Sequence, residues 1–203
     1  MTQHYYNEHP VTRSNEQVFN TEISGRSFSF VSDHGVFSKE GVDFGSRFLV
    51  ETFTEPDIAG PLLDMGCGYG AMGIMLANIT GRHVTLSDVN QRAVELARQN
   101  AARNEAYAVQ VVSGDLFSGV ADSERFAAIV INPPIRAGKA VVYRMLSDAR
   151  AYLLPGGELW IVIQKKQGAP SAKRKLQDMY EEVVEVDKDK GYRVFRARGL
   201  EKD

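Results

Sequence analysis

Asn132-Pro133-Pro134-Ile135 follows directly on the apolar run Ala127-Ala128-Ile129-Val130-Ile131. Each proline lacks an N–H and fixes φ, so a strand that ends this way leaves its sheet stiffly. The exit presents one side-chain amide and bare backbone carbonyls. Those groups accept hydrogen bonds from an –NH2 group and have little to donate. Chemistry on a planar nitrogen is what such a corner suits. Upstream, Asp64-Met65-Gly66-Cys67-Gly68-Tyr69-Gly70 forms a glycine-rich bend. Glycines there permit a tight turn and let a ligand approach the backbone, as in nucleotide sites. Gly66 and Gly68 match the Gly-x-Gly opening of a dinucleotide fingerprint, but Gly70 comes one residue early. Asp64, two residues before the first glycine, would repel a pyrophosphate and suit a cationic ligand. Asp88 follows Gly66 by 22 residues, where an acid binds ribose hydroxyls in doubly wound folds. Val89 and Asn90 come next. Asp115 suits an adenine amino group, with Leu116 and Phe117 packing on the ring.

These residues need elements to hold them. Strands are expected at residues 62–65, 83–87, 109–112, 126–131 and 158–163, with helices at 71–78, 90–104 and 139–153 between them. Asn90 is a good N-cap, and Ala93, Leu96, Ala97 and Ala101 give its helix an apolar face. Pro155-Gly156-Gly157 reads as the stop of the helix before it, and Ser171 as the cap of a helix reaching about Tyr180. Strands at 183–186 and 192–197, turned at Lys190-Gly191, are too close for a parallel crossover and must be antiparallel. A further helix is expected over 42–53. The alternating run 26–37 suggests a hairpin turned at His34-Gly35. The alternation of strand and helix demands a doubly wound, mostly parallel α/β sheet with a C-terminal antiparallel strand pair. Asp64, Asp88, Asp115 and Asn132 then end four successive strands on one edge, where ligands bind in such sheets.

The chain has 203 residues, 43% hydrophobic and 25% charged, with no internal repeat. That suits one domain with an N-terminal appendage. Cys67 is the lone cysteine, so no internal disulfide forms and a reducing, cytoplasmic setting is expected. It reads as a small packing residue, and mid-strand Trp160 as core. The first ten residues have no apolar core, so no signal peptide is expected, and no stretch is long and apolar enough to span a bilayer. The four histidines show no ligand-like spacing, so no metal site is expected. Net charge is −2, unevenly spread: residues 1–135 carry 9 Lys+Arg against 16 Asp+Glu, residues 136–198 carry 14 against 8. The basic C-terminal half suits an anionic partner. Arg136, Lys139 and Arg144 follow the proline corner, and Lys165-Lys166 the fifth strand of the parallel set, all placed to meet phosphates.

Together, the glycine bend with Asp64, Asp88, Gly114-Asp115-Leu116 and Asn132-Pro133-Pro134-Ile135 resembles the class I S-adenosylmethionine-dependent methyltransferases. Phe37-Ser38-Lys39, Asp43-Phe44-Gly45-Ser46-Arg47 and Arg136-Ala137-Gly138-Lys139 are similar to the small-domain group, which includes the 16S rRNA guanine-N2 methyltransferases. In that group the same domain is often preceded by a degenerate copy, and this sequence shows no such copy. The resemblance implies a Rossmann-like methyltransferase domain over 41–203 after the appendage 1–40. It implies S-adenosyl-L-methionine as cofactor, held by Asp64, Gly66, Cys67, Gly68, Tyr69, Gly70, Asp88, Val89, Asn90, Asp115, Leu116 and Asn132. It implies catalysis at Asn132, Pro133, Pro134 and Ile135, and RNA contact at Phe37, Lys39, Arg136 and Lys139. Many relatives carry an aromatic at the position of Ile135, so the rings of Phe37 and Tyr143 are candidates to stack on a base.

The leading expectation is methyl transfer to an exocyclic amino nitrogen of an RNA base, guanine N2 of 16S rRNA foremost. The partner is then small-subunit ribosomal RNA or an assembly intermediate. The same corner suits adenine N6 of RNA or DNA, or a protein glutamine amide. A reading from another class is an NAD(P)-binding oxidoreductase. Gly70, Asp64 and the Asn-Pro-Pro corner, which hydride transfer does not require, argue against it. A non-catalytic RNA-binding module is the last alternative, and the full set of edge residues argues against that.

Overall fold

A computed structural model describes residues 14–36, 38 and 41–199. The central strands of its sheet are largely apolar runs buried on both faces, as parallel strands under two helical layers require. The strands are β3 (Leu62–Met65), β4 (Val84–Asp88), β5 (Val109–Ser113), β6 (Phe126–Ile131), β7 (Leu153–Gln164), β8 (Glu182–Asp189) and β9 (Tyr192–Arg198), in the order β5-β4-β3-β6-β7-β9-β8. The strands β3 to β7 pair in parallel; β9 is antiparallel to both β7 and β8. This is the doubly wound sheet with a C-terminal antiparallel pair that the sequence requires. Side chains alternate across it. Leu62, Val130 and Trp160 pack into one core, Leu63, Ile129 and Leu159 into the other.

Helices α1 (Phe44–Thr52), α2 (Ala71–Thr80) and α3 (Gln91–Arg103) cover the first face, and α4 (Lys139–Ala149) and α5 (Ala169–Gln177) the second. Asn90 caps α3 as expected, its side chain accepting from the N–H groups of Arg92 and Ala93. Trp160 is fully buried, its indole N–H donating to Glu158 at 2.9 Å.

Three local expectations are corrected. The hairpin pairs β1 (Gln17–Ile23) with β2 (Arg26–Ser32) and turns at Ser24-Gly25, not at His34-Gly35. Ser24 and Gly25 both take positive φ, 51° and 71°, which matches the right-handed twist of a two-residue hairpin turn. Asp33 instead accepts the backbone N–H groups of Asn15 and His34. Helix α4 stops at Ala149, and Pro155-Gly156-Gly157 lies inside β7. Phe126 pairs with Leu153 and Ala128 with Glu158, so the intervening residues bulge from the ladder, where a proline costs no hydrogen bond. Helix α5 starts after Gly168 (φ 110°) and ends at Gln177. Ser171 lies within its first turn and donates its hydroxyl to the Gly168 carbonyl.

The hairpin docks through an unusual ladder. Asn100 on α3 and Asn104, the residue that caps its C-terminus, each present an amide to β2. Asn100 accepts from Val31 N–H at 2.7 Å and donates to Val31 O at 2.8 Å; Asn104 does the same for Ser29 at 2.9 and 2.8 Å. Two side chains thereby replace a neighbouring strand and satisfy backbone groups that burial would otherwise leave unpaired.

Candidate active site

The parallel register brings Asp64, Asp88 and Asn132 to one edge. Asp64 is level with Leu86 and Val130, Asp88 closes β4, and Asn132 is the first residue beyond β6. Asp115 lies two residues past β5 at the same edge. A cleft of about 200 Å³ there is lined by Gly66, Gly68, Asp88, Val89, Asp115, Leu116, Asn132, Pro133 and Pro134, among others. A smaller recess adjoins it at Gly66, Gly68 and Asn132, and its wall adds Asp64, Cys67, Tyr69, Asp43 and Ser46.

The glycine bend is pinned to β4. Gly66 and Cys67 donate to the Ser87 carbonyl at 2.8 and 3.0 Å, and Gly68 N–H donates to Asp88 Oδ2 at 2.8 Å. Gly66, Gly68 and Gly70 all take positive φ (76°, 56° and 88°), which side-chain-bearing residues adopt at a cost. A Cβ on Gly68 would meet nothing within 4 Å, so this backbone faces open space. A Cβ on Gly70 would press on Ala97 of α3. Gly70 therefore serves helix packing and lines neither recess.

Asp64 is fully buried. Its Oδ2 accepts from Gly73 N–H at 2.8 Å, and its Oδ1 has no hydrogen-bond partner among the described residues. Burial, reinforced by the charge of Asp88, raises its carboxyl to about 7. Burial also raises Asp88, whose two oxygens accept from Asn90 and Gly68. An orphaned buried oxygen wants a donor. An ammonium is the donor that also restores the carboxylate, so the pair Asp64–Asp88 suits a ligand with a cationic end and vicinal hydroxyls. That pattern fits S-adenosyl-L-methionine.

Asn132 is held in one orientation. Its Nδ2 donates to Asp43 Oδ1 at 3.0 Å and to Ser46 Oγ at 2.9 Å. Asp43 also caps α1, accepting from Ser46 N–H at 3.1 Å. Both amide donors are thus consumed, and Asn132 Oδ1 accepts nothing among the described residues. The Pro134 carbonyl is occupied by Ala137 N–H at 2.8 Å, whereas that of Pro133 accepts nothing among them. These two open acceptors belong to consecutive residues that both line the cleft, and Asn132 also lines the smaller recess.

The remaining expected residues have varied surroundings. Asn90 is buried beneath the cleft as the α3 cap and donates to the Gly35 carbonyl. Phe117 is buried in the second core, stacked on Tyr152 at 4.6 Å, and does not reach the cleft; Leu116 does, at φ 52°. Cys67 is buried, and burial raises its thiol, which fits a packing role. Tyr69 donates its hydroxyl to the Gly41 carbonyl at 3.2 Å. Ile135 packs on the second core, Arg136 is exposed, and Lys139 sits over the Tyr143 ring. Tyr143 itself binds the Ser171 carbonyl and lines neither recess. Phe37 and Lys39 lie outside the described residues. Asp43 and Ser46, named above only within a family motif, and Gly73 help to form the site, a role that local spacing does not flag. No helix among the described residues is long and apolar enough to cross a membrane.

A family model, the methyltransferase small domain, matches residues 27–196. The uncharacterized protein YbxB of Bacillus subtilis (strain 168) is 49% identical over 199 residues, which is 98% of this chain and 99% of that protein. The ribosomal RNA small subunit methyltransferase C of Enterobacter sp. (strain 638) is 34% identical, covering 83% of this chain and 49% of that protein. A T. thermophilus 16S rRNA N2 methyltransferase, solved in complex with AdoMet and guanosine, matches with a TM-score of 0.81 at 26% identity, over 94% of this chain and 52% of that one. The chain spans about half the length of these two rRNA methyltransferases. The family match runs from β2 into β9 and takes in every element that lines the cleft, so this chain belongs to the methyltransferase small domain family.

Proposed function

We propose that this protein is an S-adenosyl-L-methionine-dependent methyltransferase acting on an exocyclic amino nitrogen of an RNA base, with guanine N2 of 16S rRNA the favoured target. The observation that carries the reading is the locked Asn132 amide. Both of its donors are taken by Asp43 and Ser46, which leaves its oxygen as the free group, and Asn132 lines both the cleft that holds Asp88 and Pro133 and the recess that holds Asp64. In this reading Asp88 takes the ribose hydroxyls, Asp115 and Leu116 the adenine, and Asp64 Oδ1 the methionyl ammonium. Bound there, the cofactor supplies an electrophilic sulfonium methyl, so the protein's task is alignment and charge stabilisation.

An exocyclic –NH2 is a poor nucleophile because its lone pair is delocalised into the ring. Hydrogen bonds from it to Asn132 Oδ1 and Pro133 O localise that lone pair. They strengthen as positive charge grows on nitrogen, which lowers the barrier selectively. The Asp43 carboxylate behind the amide polarises Asn132 in the favourable sense. The rRNA methyltransferases among the relatives support the choice of RNA and of guanine N2. The same acceptor pair suits adenine N6 or a glutamine amide.

Nucleoside mass mapping of rRNA from cells with and without this protein tests the target. Loss of one N2-methylguanosine in the small subunit is expected. Unchanged rRNA, with a lost N6-methyladenosine or methylglutamine elsewhere, would move the acceptor. Calorimetry tests the cofactor separately: S-adenosylhomocysteine should bind and NAD should not, and the reverse would overturn the class.

A further inference from the structure

Eleven of the fourteen basic residues over 136–198 fall into two sets; Arg136 and, near the β8–β9 turn, Lys188 and Lys190 stand outside them. Arg144, Arg150, Arg193, Arg196 and Arg198 each lie within ion-pair distance of an acid: Asp148, Glu181, Glu185, Glu158 with Glu182, and Glu182 respectively. Lys139, Lys165, Lys166, Lys173, Arg174 and Lys175 have no such acid among the described residues. The second set is contiguous in the fold. Lys139 opens α4 seven residues after Asn132, Lys165 and Lys166 follow the end of β7 beside β6, and the other three lie on α5. The two helices meet at Tyr143, whose hydroxyl donates to the Ser171 carbonyl at 3.2 Å. Lys139 Nζ and Lys175 Nζ both sit over that ring, 5.0 and 6.0 Å from its centre. The ring face offsets part of their repulsion. The second set, without ion-pair contacts among the described residues, begins at the edge where Asn132 stands.

We propose that this α4–α5 face, centred on Lys139, Tyr143 and Lys175, is a track for the phosphodiester backbone of the RNA whose base enters at Asn132. The inference rests on the RNA-methyltransferase reading and adds to it the direction the strand takes. It leaves across the second face of the sheet, away from the acidic cleft. A polyanion fits both the density of unpaired ammonium groups and the like-charge pair on one ring. The fixed tyrosine sets the spacing of that pair.

Anisotropy with a labelled 20-nucleotide single-stranded RNA, at 50 and 200 mM KCl, tests the track. The double variant Lys139→Gln/Lys175→Gln removes about two phosphate contacts. At roughly 0.7 in salt slope per contact, the slope should fall by about 1.4, with affinity down roughly 60-fold at 50 mM and 10-fold at 200 mM. Its S-adenosylhomocysteine affinity should match wild type, which shows an intact fold. A control, Arg26→Gln/Arg103→Gln, removes two exposed charges from the other face and should change RNA affinity less than threefold. Equal losses in both double variants, or wild-type affinity and slope in the first, would overturn the track. So would tighter binding of poly-glutamate than of the RNA, which would point to an acidic protein segment. If the wild type modifies rRNA yet the first variant binds RNA normally, the track alone fails. If RNA binding behaves as stated but no nucleoside loses its methyl in cells without the protein, the enzymatic reading alone fails.

Discussion

Replacing Asp43 by alanine should separate positioning from folding. Asp43 makes a charge-assisted bond to the Asn132 amide at 3.0 Å, worth about 1.5–3 kcal/mol. Without it, the amide can rotate and turn its –NH2 toward the substrate amine, exchanging an acceptor for a donor. The loss of one preorganised polar partner at a reacting centre costs about 3 kcal/mol, or roughly 100-fold in kcat. Asp43 also caps α1, so about 1 kcal/mol of stability goes as well, lowering Tm by roughly 2–4 °C. Cofactor affinity should be unchanged, since Asp43 touches none of the residues assigned to adenosine. Single-turnover methyl transfer to rRNA, S-adenosylhomocysteine calorimetry and thermal melting read the three quantities. Asp43→Asn keeps an acceptor and should recover much of the rate. Ser46→Ala removes only a neutral acceptor and should cost about fivefold, near 1 kcal/mol. If Asp43→Ala melts lower but turns over within twofold of wild type, Asp43 is a helix cap and nothing more.

Other expectations follow from the same geometry. A carboxyl raised to about 7 favours the folded state while protonated. Its contribution is complete below the unfolded value near 4 and lost as pH climbs through 7. The unliganded protein should therefore melt lower at pH 8 than at pH 5, and Asp64→Asn should flatten that trend. Affinity for S-adenosylhomocysteine should run the other way, rising up to tenfold per unit below pH 7 as Asp64 ionises; a flat profile would remove Asp64 from the ammonium site. Asn100→Ala strands Val31 N–H, Val31 O and Tyr69 O, costing about 3 kcal/mol and roughly 10 °C in Tm. A shift under 2 °C would show that the hairpin is held by its apolar face alone. Gly68→Ala and Gly73→Ala should differ in kind. The first adds a methyl toward open space and should weaken cofactor binding at least tenfold with a small melting shift. The second drives a Cβ to 2.2 Å from Leu86 and 3.0 Å from Asp64 and should appear first as lost stability.

What the sequence made legible was what is local. Asp64, Asp88 and Asn132 could be placed because each ends an apolar run, and parallel pairing sends such ends to one edge. Gly114 was readable as part of a motif, and the structure supplies its reason: a Cβ there would lie 2.2 Å from Gly119 N. Asp43 and Ser46 were readable as part of a family motif, but their hold on Asn132 was not, because they reach it across 89 and 86 residues. Seen alone, Asp43 is an ordinary helix cap. Phe117 shows the opposite error: the 3-10 turn at Leu116–Gly119 swings it into the core, a rotation that no periodicity encodes. The hairpin turn was misplaced because His34-Gly35 has turn composition, while Ser24-Gly25 has the strands on both sides. Pro155-Gly156-Gly157 looked like a helix stop because a bulge uses the same residues as a terminator.

The most direct test is transfer of labelled methyl from S-adenosyl-L-methionine to unmodified 16S rRNA by wild type and Asn132→Ala, with the labelled nucleoside identified. N2-methylguanosine from the wild type is expected, falling more than 100-fold in the variant while its S-adenosylhomocysteine affinity holds. Label on a ring carbon or a ribose oxygen, or full transfer by Asn132→Ala, would contradict an amine held by the Asn132 and Pro133 oxygens.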